Sequence, residues 1–365
     1  QTKKMVDLFM DAGFTYFDTA WAYAGSEDAI RQALVERYPR ESYQLATKNA
    51  AWIECKTKEE AYAQFDTSLA QTGAGYFDFY LLHNLGEART KYFDDYDMWN
   101  WVQEKKAAGL VKHVGFSFHS TPEELDEILT AHPEMEFVQL QINYADWDNP
   151  AVQSRRCYET ARKHGKPVII MEPVKGGMLA TPPESVVNIL KAAEPQSSAA
   201  SWAVRFAADL EGLITVLSGM SSVEQMQDNL SYMKDFTGLT DAEKETLAKA
   251  RTESIVLSDK GQIPVETIDL GENGYLEYSP VSVSVDMSKG MGLTAEEAQD
   301  PYYLKHLEIR YKDGGSYVIS DEEECIENNG YVLGTDVWYK AAFNRIVDTG
   351  EVAEIIVNDV SFPAE

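Results

Sequence analysis

Residues 14–23 read FTYFDTAWAY. Phe14, Tyr16 and Phe17 suit a buried strand, yet the run closes on a carboxylate, Asp18, and a phenol, Tyr23, follows five residues later. On these residues alone two readings stand. Asp18 caps the turn that leaves a strand, or it belongs to a polar group whose other members lie further along the chain. Six more apolar runs follow: YQLATKN (43–49), YFDFYLLH (76–83), KHVGFSFH (112–119), FVQLQINYAD (137–146), KPVIIMEPV (166–174) and LITVLSG (213–219). Between them lie amphipathic stretches such as SEDAIRQALVERY (26–38), TKEEAYAQFDTSLAQTG (57–73) and TPEELDEILTAHP (121–133). These open on Ser or Thr and several end near Gly or Pro, as helices do.

Strand and helix therefore alternate about every 30 residues, the βα unit that builds a parallel sheet. The strands are nearly continuous apolar runs, as expected when both faces are covered. Seven such units follow an opening helix, TKKMVDLFMDAG (2–13). A doubly wound open sheet would place a G-x-G-x-x-G turn after its first strand, and the sequence has none. The pattern predicts an α/β fold over residues 1–257: a (β/α)8 TIM barrel lacking its first strand.

Bulk composition narrows the classes. The chain has 365 residues, enough for two domains. Its net charge of -28 opposes a nucleic-acid partner, since phosphates would be repelled. No stretch approaches 18 apolar residues, so no membrane span is expected. Cys55, Cys157 and Cys325 are far apart, with neither metal-type nor disulfide-type spacing. They fit a reducing compartment, and the expectation is a cytoplasmic protein. The chain opens on QTKKMVDLFM, without an initiator Met or a signal-peptide pattern, so it reads as the interior of a longer gene product.

In a barrel of this kind chemistry lies at the carboxyl ends of the strands. Here those ends are polar: Asp18, then Lys48, then His83, then Ser117 and His119, then Gln141 and Asn143. Each has a dull explanation alone, as a turn lysine, a half-buried histidine or a bonded core amide. Successive strands that deliver Asp, Lys and His to one mouth, with Tyr23 beside them, point to a site.

The series AGFTYFDTAWAYAGSE, LATKN, FDFYLLHN, GFSFH, QINYAD, MEPVKGG and VLSGMSSVEQMQDNL resembles the aldo/keto reductase superfamily, in order and at family-like spacing over about residues 1–250. The resemblance implies carbonyl reduction with NADPH or NADH, and a catalytic tetrad of Asp18, Tyr23, Lys48 and His83. The residue types suit that chemistry. Hydride transfer to a carbonyl leaves negative charge on oxygen, which a proton donor must meet. A free phenol is a weak acid, with a pKa of about 10, unless a cation favours its anion. Lys48 supplies the cation, Asp18 keeps a buried lysine charged, and His83 donates a hydrogen bond to the substrate oxygen.

The resemblance further implies that Ser117 and Gln141 hold the nicotinamide carboxamide, with Asn143 behind them. Met171 stands where the family often stacks an aromatic ring, and a thioether can still cover one. Ser218, Gly219, Met220, Gln225, Asp228 and Asn229 fall in the loop for the adenosine end. Gly219 and Gln225 lie where NADPH-preferring members commonly carry Lys and Arg, so the 2′-phosphate lacks a charged clamp and a weak NADP preference is expected. The family's first strand, with its hairpin plug and glycine-bearing turn, is expected upstream of Gln1. The alternative is a degenerate seven-stranded barrel.

The tail departs from the resemblance. Bacterial relatives of this style often continue into a cysteine-rich iron–sulfur region. After Ile255 this chain keeps only Cys325, too few thiolates for a cluster, so no iron–sulfur cluster is expected. Instead YLEYSPVSVSVDM, LKHLEIRYKDGGSYVIS and VAEIIVNDVSF alternate apolar and polar residues. They predict a small all-β, sandwich-like domain over residues 265–365, with a hairpin at KDGG and a linker around 258–264. LEIRYKDGGSYVIS and FNRIVDTGEVAEIIVNDV also resemble, weakly, the C-terminal β domains of membrane-anchored proteins from Gram-positive bacteria. The acidic run EEECIE reads as a solvated loop. Trp21, Trp52, Trp147 and Tyr144 could line an apolar pocket for a small carbonyl substrate, or pack in the core. A second functional reading keeps the fold but not the turnover: a catalytically impaired cofactor-binding or sensing barrel that presents a β-rich interaction module.

Overall fold

Seven strands run parallel and in sequence order: β1 (Tyr16–Asp18), β2 (Gln44–Asn49), β3 (Phe77–Leu85), β4 (Val111–Phe118), β5 (Phe137–Gln141), β6 (Val168–Met171) and β7 (Leu213–Val216). This is the barrel architecture expected from the sequence. The computed structural model describes residues 1–149, 152–260, 266–269, 275–279, 282–286, 306–320, 330–335, 338–343, 347–357 and 360–364. The chain divides into two compact units, Gln1–Ile255 and Val256–Glu365.

Around the strands lie α1 (Thr2–Asp11), α2 (Ser26–Ile30, continued as a π turn over Arg31–Val35), α3 (Lys58–Thr72), α4 (Thr90–Asp95), α5 (Met98–Ala107) and α6 (Pro122–Ala131). They are followed by α7 (Ser154–Lys163), α8 (Glu184–Ala193), α9 (Ala199–Ala208), α10 (Val223–Met233) and α11 (Asp241–Lys260). Local chemistry sets their ends. Thr57 and Glu60 close a capping box on α3, and Gly73 ends that helix at φ 65°. Thr121 caps α6, with Pro122 in its first turn. None of the described helices is long and apolar enough to cross a membrane.

The twofold period of a strand sorts side chains between two cores. Facing outward, Leu45, Tyr80, Leu82, Phe116 and Val138 join the large apolar layer under the helices. Facing inward, Ala46, Phe79, Leu81, Phe137 and Ile169 pack together, with Tyr16 against them. Each such Leu or Phe removed from water contributes about 1.5–3 kcal/mol. Gly115 belongs to this layer because a Cβ there would lie 2.5 Å from the Phe137 carbonyl oxygen. Two residues further along the same inward rows come Asp18, Lys48, His83, Ser117 and Met171, with Gln141 four on from Phe137. The packing that fills the barrel thus aims its polar rim.

Among the described residues β1 pairs only with β2, and β7 only with β6. A cavity of about 560 Å³ is lined from both of these edge strands, by Tyr16 and Asp18 on one side and Leu213, Thr215 and Val216 on the other.

The second unit contains two antiparallel sheets. One orders β13 (Gly330–Thr335), β14 (Trp338–Phe343), β10 (Ser282–Asp286), β9 (Tyr275–Ser279) and β8 (Glu266–Asp269). The other orders β12 (Ser316–Ser320), β11 (His306–Tyr311), β15 (Val352–Val357) and β16 (Val360–Pro363). Leu276 and Val283 of the first share one core with Leu307, Ile309 and Ile355 of the second. The KDGG turn joins β11 to β12, with Gly314 at φ 89° and the Gly315 amide donating to Asp313 Oδ1 at 2.8 Å. Helix α11 runs through Ser258 to Lys260, where a linker was expected to begin. The rest of that linker, the EEECIE run and Cys325 lie outside the described residues.

Candidate active site

Asp18 ends β1 and Lys48 lies on the neighbouring strand, so the parallel register brings a carboxylate and an ammonium together inside the barrel. Lys48 is fully buried, and its Nζ donates to Asp18 Oδ2 and, at 2.7 Å, to the Thr19 carbonyl. Burial raises the Asp18 carboxyl above its ordinary range, while the charge and hydrogen bond of Lys48 act against that shift. Tyr23 stands on the loop after β1, 43% exposed. Lys48 Nζ lies 4.7 Å from its ring centroid, and the His83 ring meets it edge-on at 5.6 Å. The four residues form one contiguous group.

His83 is uncharged. Burial, then Lys48, then His119 push its imidazole down to about 3. Its Nδ1 is buried without a hydrogen-bond partner, as is Asp18 Oδ1. Behind it, Trp52 Nε1 donates to the His83 carbonyl at 2.8 Å.

Further round the rim, Ser117 is fully buried, and its Oγ accepts from the Asn84 amide at 2.7 Å. That leaves the hydroxyl proton to give. Asn84 takes φ 63° to make the contact, a left-handed backbone that sequence reading did not flag. Gln141 is inward and partly exposed, and β5 is tied there by Ser154 Oγ donating to the Gln141 carbonyl at 2.9 Å. Met171 is held by Gln139, whose Nε2 lies 3.2 Å from the thioether sulfur. Gln139 was missed, although VQLQ places both glutamines on the inward row. Asn143 is wholly engaged: Nδ2 donates to Asp146 Oδ2 and the Glu172 carbonyl, and Oδ1 accepts from the Asp146 amide.

On the opposite wall Ser218, Gly219, Met220 and Asn229 line the same cavity as Asp18 and Tyr23. Asn229 Nδ2 donates to Ser218 Oγ at 2.8 Å, and the Tyr232 hydroxyl donates to Asn229 Oδ1. Gln225 and Asp228 do not line the cavity. Gln225 Oε1 accepts from the Ser221 amide at 2.6 Å, and Asp228 Oδ2 accepts from Ser198 Oγ at 2.6 Å. Residues 213–229 carry Glu224 and Asp228 but neither Lys nor Arg. Trp147 and Tyr144 also lie apart from the site, packed against Phe206 of α9. No group of three or more His, Cys, Asp or Glu side chains among the described residues could hold a metal ion.

The model of the aldo/keto reductase family matches residues 1–251. An aldo-keto reductase of Mycolicibacterium smegmatis is 31% identical over 116 residues, 32% of this chain and 39% of that protein. Another, from Mycolicibacterium vanbaalenii, is 25% identical over 234 residues, 63% of this chain and 77% of that protein. The first match thus spans well under half of its relative's length. Among solved structures, the holo form of an aldo-keto reductase from Bacillus halodurans superposes with a TM-score of 0.55 at 21% identity, covering 68% of this chain and 86% of that one. An aldo-keto reductase from Klebsiella pneumoniae, in complex with NADPH, gives 0.54 at 20% identity, covering 68% and 84%. At these identities the superpositions speak for the fold alone. The family match takes in 251 of 365 residues, all of the barrel strands among them, and this chain belongs to the aldo/keto reductase family.

Proposed function

We propose that the protein reduces an aldehyde or ketone with a nicotinamide cofactor, Tyr23 acting as the acid. The observation that carries this reading is the meeting of Asp18, Lys48, Tyr23 and His83, of which Asp18 and Tyr23 line an apolar cavity. The residues suit the cofactor. Ser117 has a proton to give, Gln141 offers a partly exposed amide at the end of the next strand, and Met171, paired with Gln141 in the sheet, adds a soft apolar side chain. When bound, the cofactor supplies a hydride to the carbonyl carbon.

The chain's own residues manage the oxygen. Tyr23 Oη gives its proton to the carbonyl oxygen as charge develops there. The charge left on the phenol is met by the Lys48 ammonium, which Asp18 and the Thr19 carbonyl hold in place. Because His83 is neutral, it donates one ring N–H to the same oxygen without bringing a second cation beside Lys48. Water restores the Tyr23 proton directly, since the phenol is partly exposed.

Residues 213–229, which the adenosine end would meet, carry no Lys or Arg to clamp a 2′-phosphate, and the cation near Glu224 is Lys4 of α1. That favours use of NADH alongside NADPH. A four-iron cluster held by four thiolates forms no part of the proposal, as the chain has three cysteines. The test is oxidation of NADH and NADPH by the protein across a panel of aldehydes and ketones. Carbonyl-dependent oxidation is expected with both cofactors. Tight NAD(P)H binding without turnover of any carbonyl would refute the proposal.

A further inference from the structure

Glu27 stands in the first turn of α2 and is 2% exposed. Its Oε1 accepts from Thr47 Oγ1 at 2.6 Å, whereas its Oε2 is buried without a hydrogen-bond partner. Burial lifts its carboxyl above the ordinary range, helped by the Asp28 charge, while the Thr47 and Ser68 hydroxyls and the Lys48 charge act against that shift. Burying a carboxyl this deeply costs stability. It lines neither of the two main cavities among the described residues, so contact with a ligand there does not explain it.

Its place in the loop does. Residues 19–26 form a hoop that leaves β1 and carries Tyr23 at its exposed crest. The near end is stitched to β2 three times. The Thr19 amide donates to the Ala46 carbonyl at 2.9 Å, Lys48 Nζ donates to the Thr19 carbonyl, and the Trp21 amide donates to the Lys48 carbonyl at 3.2 Å. From Ala22 to Gly25 the backbone bonds are local: Tyr23 N–H to the Ala20 carbonyl and Ser26 N–H to the Tyr23 carbonyl, both at 3.0 Å. Gly25, at φ 69°, turns the chain into the helix. The next tie to β2 is Glu27 on Thr47, beside the Ser26–Thr19 hydroxyl contact at 2.7 Å that closes the hoop on itself. Thr47 and Lys48 are neighbours on one strand and face opposite sides of it. One residue therefore anchors the hoop's far end, and the next one faces Tyr23.

We propose that Glu27 is a positioning residue, which through Thr47 fixes the far end of the Tyr23 hoop to the strand that carries Lys48. This rests on the reading of Tyr23 as the acid. Displacing a reacting group by about 1 Å can cost about 100-fold in rate.

The test compares two lesions, Glu27→Ala and Thr47→Val, with two conservative changes, Glu27→Gln and Thr47→Ser, which keep an acceptor and a donor at the same places. The expectation is that each lesion lowers kcat by about 10- to 100-fold while carbonyl KM and NADH affinity stay within about threefold, and that the conservative variants retain most of the wild-type kcat. Lesions with wild-type kcat, or Glu27→Gln falling as far as Glu27→Ala, would overturn the tether. If the wild-type protein turns over no carbonyl, the proposed function fails instead. Crystal structures then judge the tether alone: a Tyr23 ring shifted by about an ångström relative to Lys48 in Thr47→Val supports it, and an unmoved ring overturns it.

Discussion

Replacing Asp18 by Asn tests whether the buried ion pair is a working unit. Lys48 is fully buried and the Asp18 side chain is 15% exposed, so water screens neither charge well. Two opposite charges about 3 Å apart attract by about 5 kcal/mol at an effective dielectric of about 20. Burial offsets part of this on the Asp18 side, which is why its carboxyl is raised despite the contact. In Asp18→Asn the ammonium keeps the Thr19 carbonyl but loses its counter-charge. Stranding a buried charge costs about 3–5 kcal/mol, and the retained carbonyl sets the expectation at the lower end.

Lys48→Met leaves a carboxyl that burial already favours in its protonated form, so its cost is smaller. The double variant has no charge to strand, and the sum of the single losses should exceed its loss by at least about 2 kcal/mol. Urea unfolding followed by tryptophan fluorescence measures this in the barrel, because six of the seven tryptophans precede residue 256 and only Trp338 follows it. Losses that add to within about 0.5 kcal/mol would mean that the two side chains do not interact, and the reasoning would fall.

Two further outcomes follow from the site. The imidazole of His83, lowered from 6.5 to about 3, takes up a proton more readily in the unfolded chain, so its contribution to stability is complete above about pH 6.5 and is lost as pH falls. Between about pH 7 and pH 4.5 the wild-type barrel should lose about 2.5 kcal/mol that His83→Asn does not, and parallel pH profiles of the two would contradict this. Gln225→Arg places a cation at the start of α10 beside Glu224, and should raise the ratio of kcat/KM for NADPH over NADH by about tenfold or more; an unchanged ratio would place the 2′-position elsewhere.

Much of the site was legible because strand parity is local. Once Ala46, Phe79 and Phe137 are seen as inward, Lys48, His83 and Gln141 follow by counting in even steps. What escaped depends on contacts across long sequence separations. Glu27 begins a helix as an acid after a serine, the mark of an ordinary solvated first turn, and only the approach of Thr47 reveals it as buried. Trp147 and Tyr144 follow β5 closely enough to suggest the rim, yet the chain turns them outward onto α9. Gln225 and Asp228 carry polar groups at family-like spacing, but the backbone of their own loop and Ser198 take those groups up. The cavity is lined from β1 and β7, which do not pair with each other among the described residues, and no single run of residues encodes that gap.

The most direct measurement is carbonyl reduction by Tyr23→Phe, which deletes one oxygen and leaves the ring that packs on Lys48 and His83. General acid catalysis contributes about 100- to 10,000-fold, so kcat should fall by at least about 100-fold while NADH binding, read by fluorescence, changes by less than about threefold. A variant that still reduces the same carbonyl at close to the wild-type rate would show that the proton comes from elsewhere.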